Sequence, residues 1–360
     1  MRCWKWFVPL AALLLVLIAA CCFPFLRRVY LLHGLRTAPE QDRPSWAAAF
    51  ARLGPSAIES LLDGLEDSAR AEPYAAALQA MVEQQTVSPA CLAQEMGRSA
   101  ALKTAQSRAY CAQLVSQWLQ THPEDEPLHA AAVILLTQWS QCPDEQLAAL
   151  LSLTLSIVSR RCDPETLALA RSLAQRGLQA ESAMVRLRAV MLCMQPAVQL
   201  LPPLLALLRD PAPEVRRAVV LALGPVPEAI SDEMLLSCLH DADAQVRQTT
   251  RSALIARGLP PEQVELGRLL THAQVRVRLQ VLDRLPEVPE VDPHVWLRRL
   301  SDDRSAAVRA AAARAWASLP ESSSDDRLEE MARSDPSPTV ARIARYYLSQ
   351  RNRLRPASAP

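Results

Sequence analysis

Residues 201–224 read LPPLLALLRDPAPEVRRAVVLALG, and this stretch decides the fold. Leucines at helical spacing predict a first helix that ends near Arg209, and Asp210-Pro211 predicts a turn. A second predicted helix runs through Val215 to Leu223. Each helix has one apolar face, and a single pair of helices cannot bury both faces alone. We therefore expect this unit to stack on similar units.

The same unit recurs through the C-terminal half of the chain. A valine in the second helix returns every 30 to 32 residues, at Val185, Val215, Val246, Val277, Val308 and Val340. The positions four and eight residues after each valine are mostly apolar and lie on the same helix face. A fixed period of this length is typical of stacked helix pairs. Because half of the residues are hydrophobic and only 4% are aromatic, we expect an all-α chain with a core of Leu, Ala and Val.

The motif Asp-Pro…Val-Arg-x-x-Ala…Ala-Leu, best kept in residues 210–223 and 303–316, resembles HEAT repeats. It is most similar to the short HEAT-like repeats of bilin-lyase-related proteins, and the resemblance covers roughly residues 163–351. It implies an α-solenoid of stacked antiparallel helix pairs. It also implies an internal ladder of paired side chains, formed by Asp210, Asp241, Asp303 and Asp335 with Arg216, Arg247, Arg278 and Arg309. His272 replaces one Asp and Ala341 replaces the last Arg, so the ladder should weaken at both places.

The N-terminal segment predicts a membrane anchor. Residues 6–26 read WFVPLAALLLVLIAACCFPFL, which is long enough to cross a bilayer as one transmembrane helix. A signal peptide cleaved near Ala20 and a lipoprotein modified at Cys21 remain alternatives. The prediction is a single-pass anchor in the cell membrane. The side of the soluble part is undetermined, although its dispersed cysteines favour the cytoplasm.

These features predict five regions along the chain. They are a transmembrane anchor (1–28), a juxtamembrane linker (29–45), degenerate helical repeats or a cap (46–162), the HEAT-like array (163–351) and a disordered tail (352–360).

The sequence contains few residues that indicate chemistry. We find no Walker A loop, Rossmann fingerprint, HExxH or GxSxG motif, and no Cys or His spacing typical of a metal site. We therefore expect no catalytic residue, no cofactor and no metal, and a protein that is not an enzyme. The net charge of +1 makes nucleic acid an unlikely partner.

The arginines are the candidate binding residues, because a guanidinium group binds carboxylates in a bidentate way. The arginines near the repeats but outside the ladder are Arg217, Arg251, Arg276, Arg298, Arg299, Arg314, Arg342 and Arg345. Of these, the candidate partner-binding residues are Arg217, Arg251, Arg298, Arg299, Arg314 and Arg345. Together these observations predict a membrane-tethered scaffold or adaptor that binds an unidentified protein, with an undetermined oligomeric state. Two alternatives stay open: a lyase-like or chaperone-like action on another protein, by resemblance, and anion or nucleic-acid binding through an Arg-lined face.

Overall fold

The structure is a computed structural model that describes residues 23, 25–67, 71–100, 102–141, 143–160, 163–288, 291–319 and 323–354. The described residues are helical or irregular and contain no strand. The chain forms two compact units, with the boundary between Pro203 and Leu204. We call them unit 1 and unit 2.

Unit 1 is built from ten described α-helices. They are α1 (25–37), α2 (Arg43–Ala51), α3 (Ile58–Gly64), α4 (Ala71–Glu83), α5 (Pro89–Arg98), α6 (Ala105–Thr121), α7 (Glu126–Trp139), α8 (Asp144–Val158), α9 (Pro164–Leu178) and α10 (Ala183–Cys193). Every second helix stacks on the next of its kind, so that α2, α4, α6, α8 and α10 form one layer and α3, α5, α7 and α9 form the other. This is the packing of an α-solenoid.

Polar residues set the starts of several unit 1 helices. The Ser88 hydroxyl accepts a hydrogen bond from the backbone N–H of Cys91 at 3.2 Å, and Asp125 accepts one from Leu128 at 2.9 Å. A proline follows each of these caps at the first or second helical position. These side chains satisfy N–H groups that have no partner within the helix, and proline has no N–H to satisfy there.

The predicted single-pass membrane localisation is wrong. Among the described residues, no helix combines the length and the apolar character needed to cross a bilayer. Most of the predicted anchor, residues 6–22 and Pro24, lies outside the described residues, as do Ala20 and Cys21. The described helix α1 carries Arg27 and Arg28 and buries Leu31 and Leu35 within the protein.

Helix α1 packs on α2 and α4. A Cβ atom at Gly34 would lie 2.1 Å from the ring of Trp46, so only glycine permits this close approach. The Arg36 Nε donates to the Tyr74 hydroxyl at 2.6 Å. Residues 29–37, which the sequence assigns to a linker, therefore belong to a helix of unit 1.

Unit 2 contains nine described α-helices. They are α11 (Pro213–Leu223), α12 (Asp232–Ser237), α13 (Ala244–Ala256), α14 (Pro261–Leu270), α15 (Val275–Arg284), α16 (Pro293–Ser301), α17 (Ala306–Ser318), α18 (Ser323–Ser334) and α19 (Pro338–Leu354). The odd-numbered helices are the second helices of their repeats, and the even-numbered ones are the first helices. Short 3₁₀ segments at Cys238–His240 and Leu285–Glu287 follow α12 and α15. The predicted tail begins inside α19, and residues 355–360 lie outside the described residues.

The recurring valines lie in the core. In unit 2, the buried valines are Val215, Val246, Val308 and Val340, and Val277 is half-buried against the core of this unit. In unit 1, Val185 is buried. The side chains four residues later are all fully buried: Ala189, Val219, Thr250, Val281, Ala312 and Ala344. One face of each second helix therefore packs inward, as the period requires.

Candidate partner-binding surface

Three bidentate arginine–aspartate pairs join successive repeats in unit 2, and we call each pair a rung. In each rung, Nε and Nη2 of the arginine donate to the two oxygens of one carboxylate. The pairs are Arg216–Asp241 (2.7 and 2.6 Å), Arg278–Asp303 (2.7 and 2.9 Å) and Arg309–Asp335 (2.9 and 2.9 Å). Both side chains of every rung are mostly shielded from solvent.

Each rung also fixes the turn on both of its sides. The third nitrogen, Nη1 of Arg278, donates to the carbonyls of His272 and Ala273 in its own repeat, at 2.9 Å each. The carboxylate of Asp303 accepts the backbone N–H of Ser305 at 2.7 Å in the next repeat. The planar guanidinium therefore connects two turns through hydrogen bonds with charged groups, which are stronger than neutral ones.

The rungs of Asp241 and Asp335 hold their carboxylates ionised. The hydrogen bonds from Arg216 lower the pKa of the Asp241 carboxyl, although partial burial opposes this shift. Burial raises the pKa of Asp335, but the hydrogen bonds from Arg309 and from the backbone of Ser337 lower it further, and the net direction is down. The partner carboxylates also raise the pKa of Arg216 and of Arg309, so both rungs stay charged at neutral pH.

The remaining residues of the predicted ladder are Asp210 and Arg247. Asp210 is buried, and its carboxylate accepts the backbone N–H of Ala212 at 2.9 Å. Arg247 donates to two backbone carbonyls and is exposed, and His272 stands where the next aspartate would be.

An open groove of about 770 Å³ lies between α15, α17 and α19, and we call it the α17/α19 groove. Its floor is formed by small side chains of α17, including Ala311. Its walls carry Arg314, Arg342, Tyr346 and Tyr347. Tyr346 is 56% exposed, whereas most aromatic rings of this chain that the structure describes are shielded.

The groove has a fixed polar edge. The Arg314 Nε donates to the Tyr347 hydroxyl at 2.9 Å, and the rings of Tyr346 and Tyr347 meet edge to face with centroids 5.3 Å apart. None of the described lining residues is acidic, so the two guanidinium groups give the groove a positive charge. An apolar floor with a cationic rim suits a ligand that carries both apolar and acidic groups.

The remaining predicted arginines are dispersed. Arg217 donates to the side chain of Gln245, Arg299 lies over the Trp296 ring at 5.5 Å, and Arg345 donates to the carbonyl of Ala341 in its own helix. Arg298 is exposed on the first helix α16 and lies outside the α17/α19 groove.

Arg251 lines a second groove of about 470 Å³, where cations and anions balance. Its charged lining residues are Arg251, Arg268, Arg284, Glu262, Glu265 and Glu287. Arg268 pairs with Glu265 at 2.6 Å, and Arg284 pairs with Glu287 at 3.0 Å. This groove does not offer the continuous cationic face that nucleic acid requires.

Of the polar groove residues, sequence reasoning singled out Arg314 and Arg342 as arginines near the repeats but missed the tyrosines. Tyr346 and Tyr347 were outside the predicted set, although two adjacent tyrosines are unusual in a chain with 4% aromatic residues. The alanines of residues 310–313 were a second signal, because a helix with small side chains leaves space beside a neighbour with large ones.

Comparisons with known proteins agree with the helical repeats. Residues 170–255 match the family model described as HEAT repeats. Among solved structures, the chain is similar to one described as the crystal structure of an engineered protein, with 17% identity and a TM-score of 0.40, over 90% of this chain and 99% of that chain. No curated protein matches the chain. The family match, together with stacked helix pairs in each unit, supports a HEAT-like helical repeat protein.

Proposed function

We propose that this chain is a non-enzymatic scaffold that binds another protein, and that the α17/α19 groove receives a segment of the partner. The observation that carries this proposal is the exposed Tyr346 beside Arg314 and Arg342 over an alanine floor. The partner segment is expected to present an apolar side chain next to Asp or Glu.

The apolar part of the groove supports protein binding. Exposed tyrosine supplies a large contact area with little side-chain entropy to lose, and it is enriched at protein interfaces. The floor beside it, including Ala310, Ala311 and Ala315, leaves room for an incoming side chain. An aliphatic or aromatic anchor in this space would bury apolar surface at about 25 cal/mol per Å².

The charge of the groove supports an acidic partner. Arg314 and Arg342 lie on α17 and α19, and Arg314 is oriented by its hydrogen bond to Tyr347. A guanidinium that is already held in place loses less entropy when it binds a carboxylate. Complementary charge also speeds the association of the two proteins.

The lining supports binding rather than catalysis. The described lining residues contain no His, Cys, Asp or Glu, which are the usual groups for proton transfer or nucleophilic attack near neutral pH. The Tyr347 hydroxyl accepts a hydrogen bond from Arg314, which ties it to a structural role. HEAT-repeat proteins commonly bind protein partners, and the family match extends this expectation to the present chain.

A site-specific photocrosslinker tests the proposal. A benzophenone amino acid replaces the exposed lining residue Ser318 in the full chain, which is then irradiated in extracts of its own cells. We expect one dominant adduct. The Ala311→Trp variant fills the groove without changing charge and should remove this adduct.

Matched controls separate the groove from general surface contact. The Arg314→Glu variant should weaken the adduct at least tenfold, whereas Arg276→Glu, an equal charge change at an exposed residue of α15, should leave it unchanged. A crosslinker at the exposed Ser252 of α13 should not capture the same protein. An adduct that persists in Ala311→Trp, or that responds equally to both charge reversals, would contradict the proposal.

A further inference from the structure

The ladder of unit 2 lacks one rung, and the gap lies between the repeats of α13 and α15. Arg216, Arg278 and Arg309 each bind an aspartate of the following repeat with both arms of the guanidinium. Arg247 occupies the equivalent place on α13. In the described part of the chain, no carboxylate lies within ion-pair distance of its guanidinium, because His272 replaces the aspartate.

Arg247 is nevertheless held in the same pose as the other three. Its Nη1 donates to the carbonyls of Asp241 and Ala242 at 2.8 Å each, just as Nη1 of Arg278 donates to His272 and Ala273 at 2.9 Å each. The guanidinium is planar, so fixing Nη1 with two acceptors also fixes the direction of Nε and Nη2. The free edge of Arg247 therefore faces the following turn without a ligand of its own.

His272 takes over only one of the two roles of the aspartate, the hydrogen bond that closes the turn. Its Nδ1 accepts the backbone N–H of Gln274 at 3.0 Å, and Asp303 makes the equivalent bond to Ser305 at 2.7 Å. Because Nδ1 is an acceptor, the proton of the neutral ring is on Nε2. This hydrogen bond closes the turn, but the side chain at position 272 supplies no carboxylate for Arg247.

The gap is also open to solvent. The helices α13 and α15 pack less closely than the other successive second helices of unit 2. Arg247 is exposed, whereas the Arg278 side chain is only 4% exposed. An external group can therefore reach the edge of Arg247.

The surroundings of the gap are cationic or neutral on the side of His272. The Arg304 Nη2 donates to the carbonyl of Ala273 at 3.2 Å, and the ring of His240 meets that of His272 with centroids 5.2 Å apart. Asp241, on the other side, is already bound by both arms of Arg216. An incoming anion thus meets more positive than free negative charge.

We propose that the free edge of Arg247 binds a carboxylate from an Asp or Glu side chain of a partner protein. The three intact rungs show the ligand that this edge takes, a carboxylate at 2.6–2.9 Å. The site is separate from the α17/α19 groove and does not depend on it. It gives the array a binding site for an acidic partner residue at the joint between two repeats.

The test follows the side-chain resonance of Arg247 in the full chain. Arginine is labelled with ¹⁵N, the Nε–Hε signal is assigned with Arg247→Lys, and sodium acetate replaces sodium chloride at constant ionic strength. We expect a saturable shift of the Arg247 signal in the millimolar range. Arg276, which is exposed on α15, serves as the control and should shift only weakly and linearly.

Two substitutions of His272 make the test specific. The His272→Asp variant supplies an internal carboxylate and should abolish the acetate response. The His272→Asn variant has nearly the same shape and can cap Gln274, but it has no charge, so it should keep the response. The proposal is overturned if Arg247 responds no more than Arg276, if His272→Asp still binds acetate, or if inorganic phosphate shifts the signal and acetate does not.

Discussion

The rung between Arg278 and Asp303 gives the sharpest test of what holds unit 2 together. The two side chains are 4% and 7% exposed, and their bidentate contacts are 2.7 and 2.9 Å. The Asp303→Ala substitution would leave the guanidinium shielded from water with no counter-charge. Breaking a buried pair in this way costs about 3–5 kcal/mol. The lost hydrogen bond to the backbone N–H of Ser305 accounts for about 1 kcal/mol of that total.

The measurement is local, because two compact units need not unfold together. Hydrogen–deuterium exchange of peptides from α15 and α17 gives the free energy of opening in this part of unit 2. A control variant separates the loss of backbone hydrogen bonds from the loss of the ion pair. Asp243 accepts the N–H groups of Gln245 and Val246 at 2.8 and 3.0 Å and forms no rung. Asp243→Ala should therefore lower the opening free energy by only about 1 kcal/mol.

A double substitution completes the test. Replacing both partners, Arg278→Met with Asp303→Leu, removes the stranded charge and should recover more than half of the loss, since a buried ion pair is often no more stabilising than apolar residues of similar size. The reasoning is refuted if Asp303→Ala costs no more than Asp243→Ala. It is also refuted if the double variant is as unstable as the sum of the two single variants.

Three further predictions concern acid, close packing and thiol reactivity. Hydrogen bonds from the arginines leave Asp241 and Asp335 with folded-state pKa values below the unfolded value of about 4, so their stabilisation is complete above that pH and is lost as the pH falls through the lower folded values. The melting temperature should therefore be flat from about pH 7 to 5 and fall below about pH 4; a fall already at pH 6 would argue against the rungs as the cause. In unit 1, a Cβ at Gly177 would lie 2.8 Å from the Cβ of Ala189, which cannot rotate away, so Gly177→Ala should destabilise by about 1–3 kcal/mol in urea unfolding despite the better helix propensity of alanine, and an unchanged midpoint would contradict this packing. Burial raises the pKa of Cys193 to about 12, so peptide mass spectrometry should find it unmodified after alkylation of the native protein at pH 8 and fully modified in urea; rapid native labelling would count against its burial.

The repeat period could be read from the sequence because it depends on position more than on side-chain type. Four residues after each recurring valine lies a buried side chain whose type varies, for example alanine at Ala189, threonine at Thr250 and valine at Val281. The helix geometry places every such residue on the same face, and any small or apolar side chain can fill that place. Val277 is only half-buried, although it packs against the hydrophobic core of unit 2.

The groove could not be read in the same way, because it depends on which side chains face each other across two helices. Arg314 lies six residues after Val308, whereas Arg345 lies five residues after Val340, so the two point about 100° apart around their helices. Arg314 reaches the groove and Tyr347, whereas Arg345 bonds to Ala341 of its own helix. The partner of Arg314 is 33 residues away in the chain, and no local pattern contains that information.

The N-terminal prediction was wrong because it rested on the length and apolar composition of residues 6–26 alone. The structure describes Phe23, Phe25 and Leu26 of this run, and all three are exposed. Helix α1 continues beyond them to Gly34, which contacts Trp46, and to Leu35, which is fully buried. The basic residues after the run, Arg27 and Arg28, lie on this helix, and Arg36 donates to Tyr74.

The ladder and its gap express one property of a repeat array, namely that each joint is stabilised mainly by its own neighbours. One rung is absent because position 272 is a histidine and not an aspartate, while the rungs at Asp241 and Asp303 are intact. The joint that lacks the internal ion pair is also the one whose arginine stays exposed. Any carboxylate that binds Arg247 must therefore stabilise this joint, because a ligand of the folded state always favours that state. In this way, binding of an acidic partner and the rigidity of the array are thermodynamically linked at one identifiable pair of repeats.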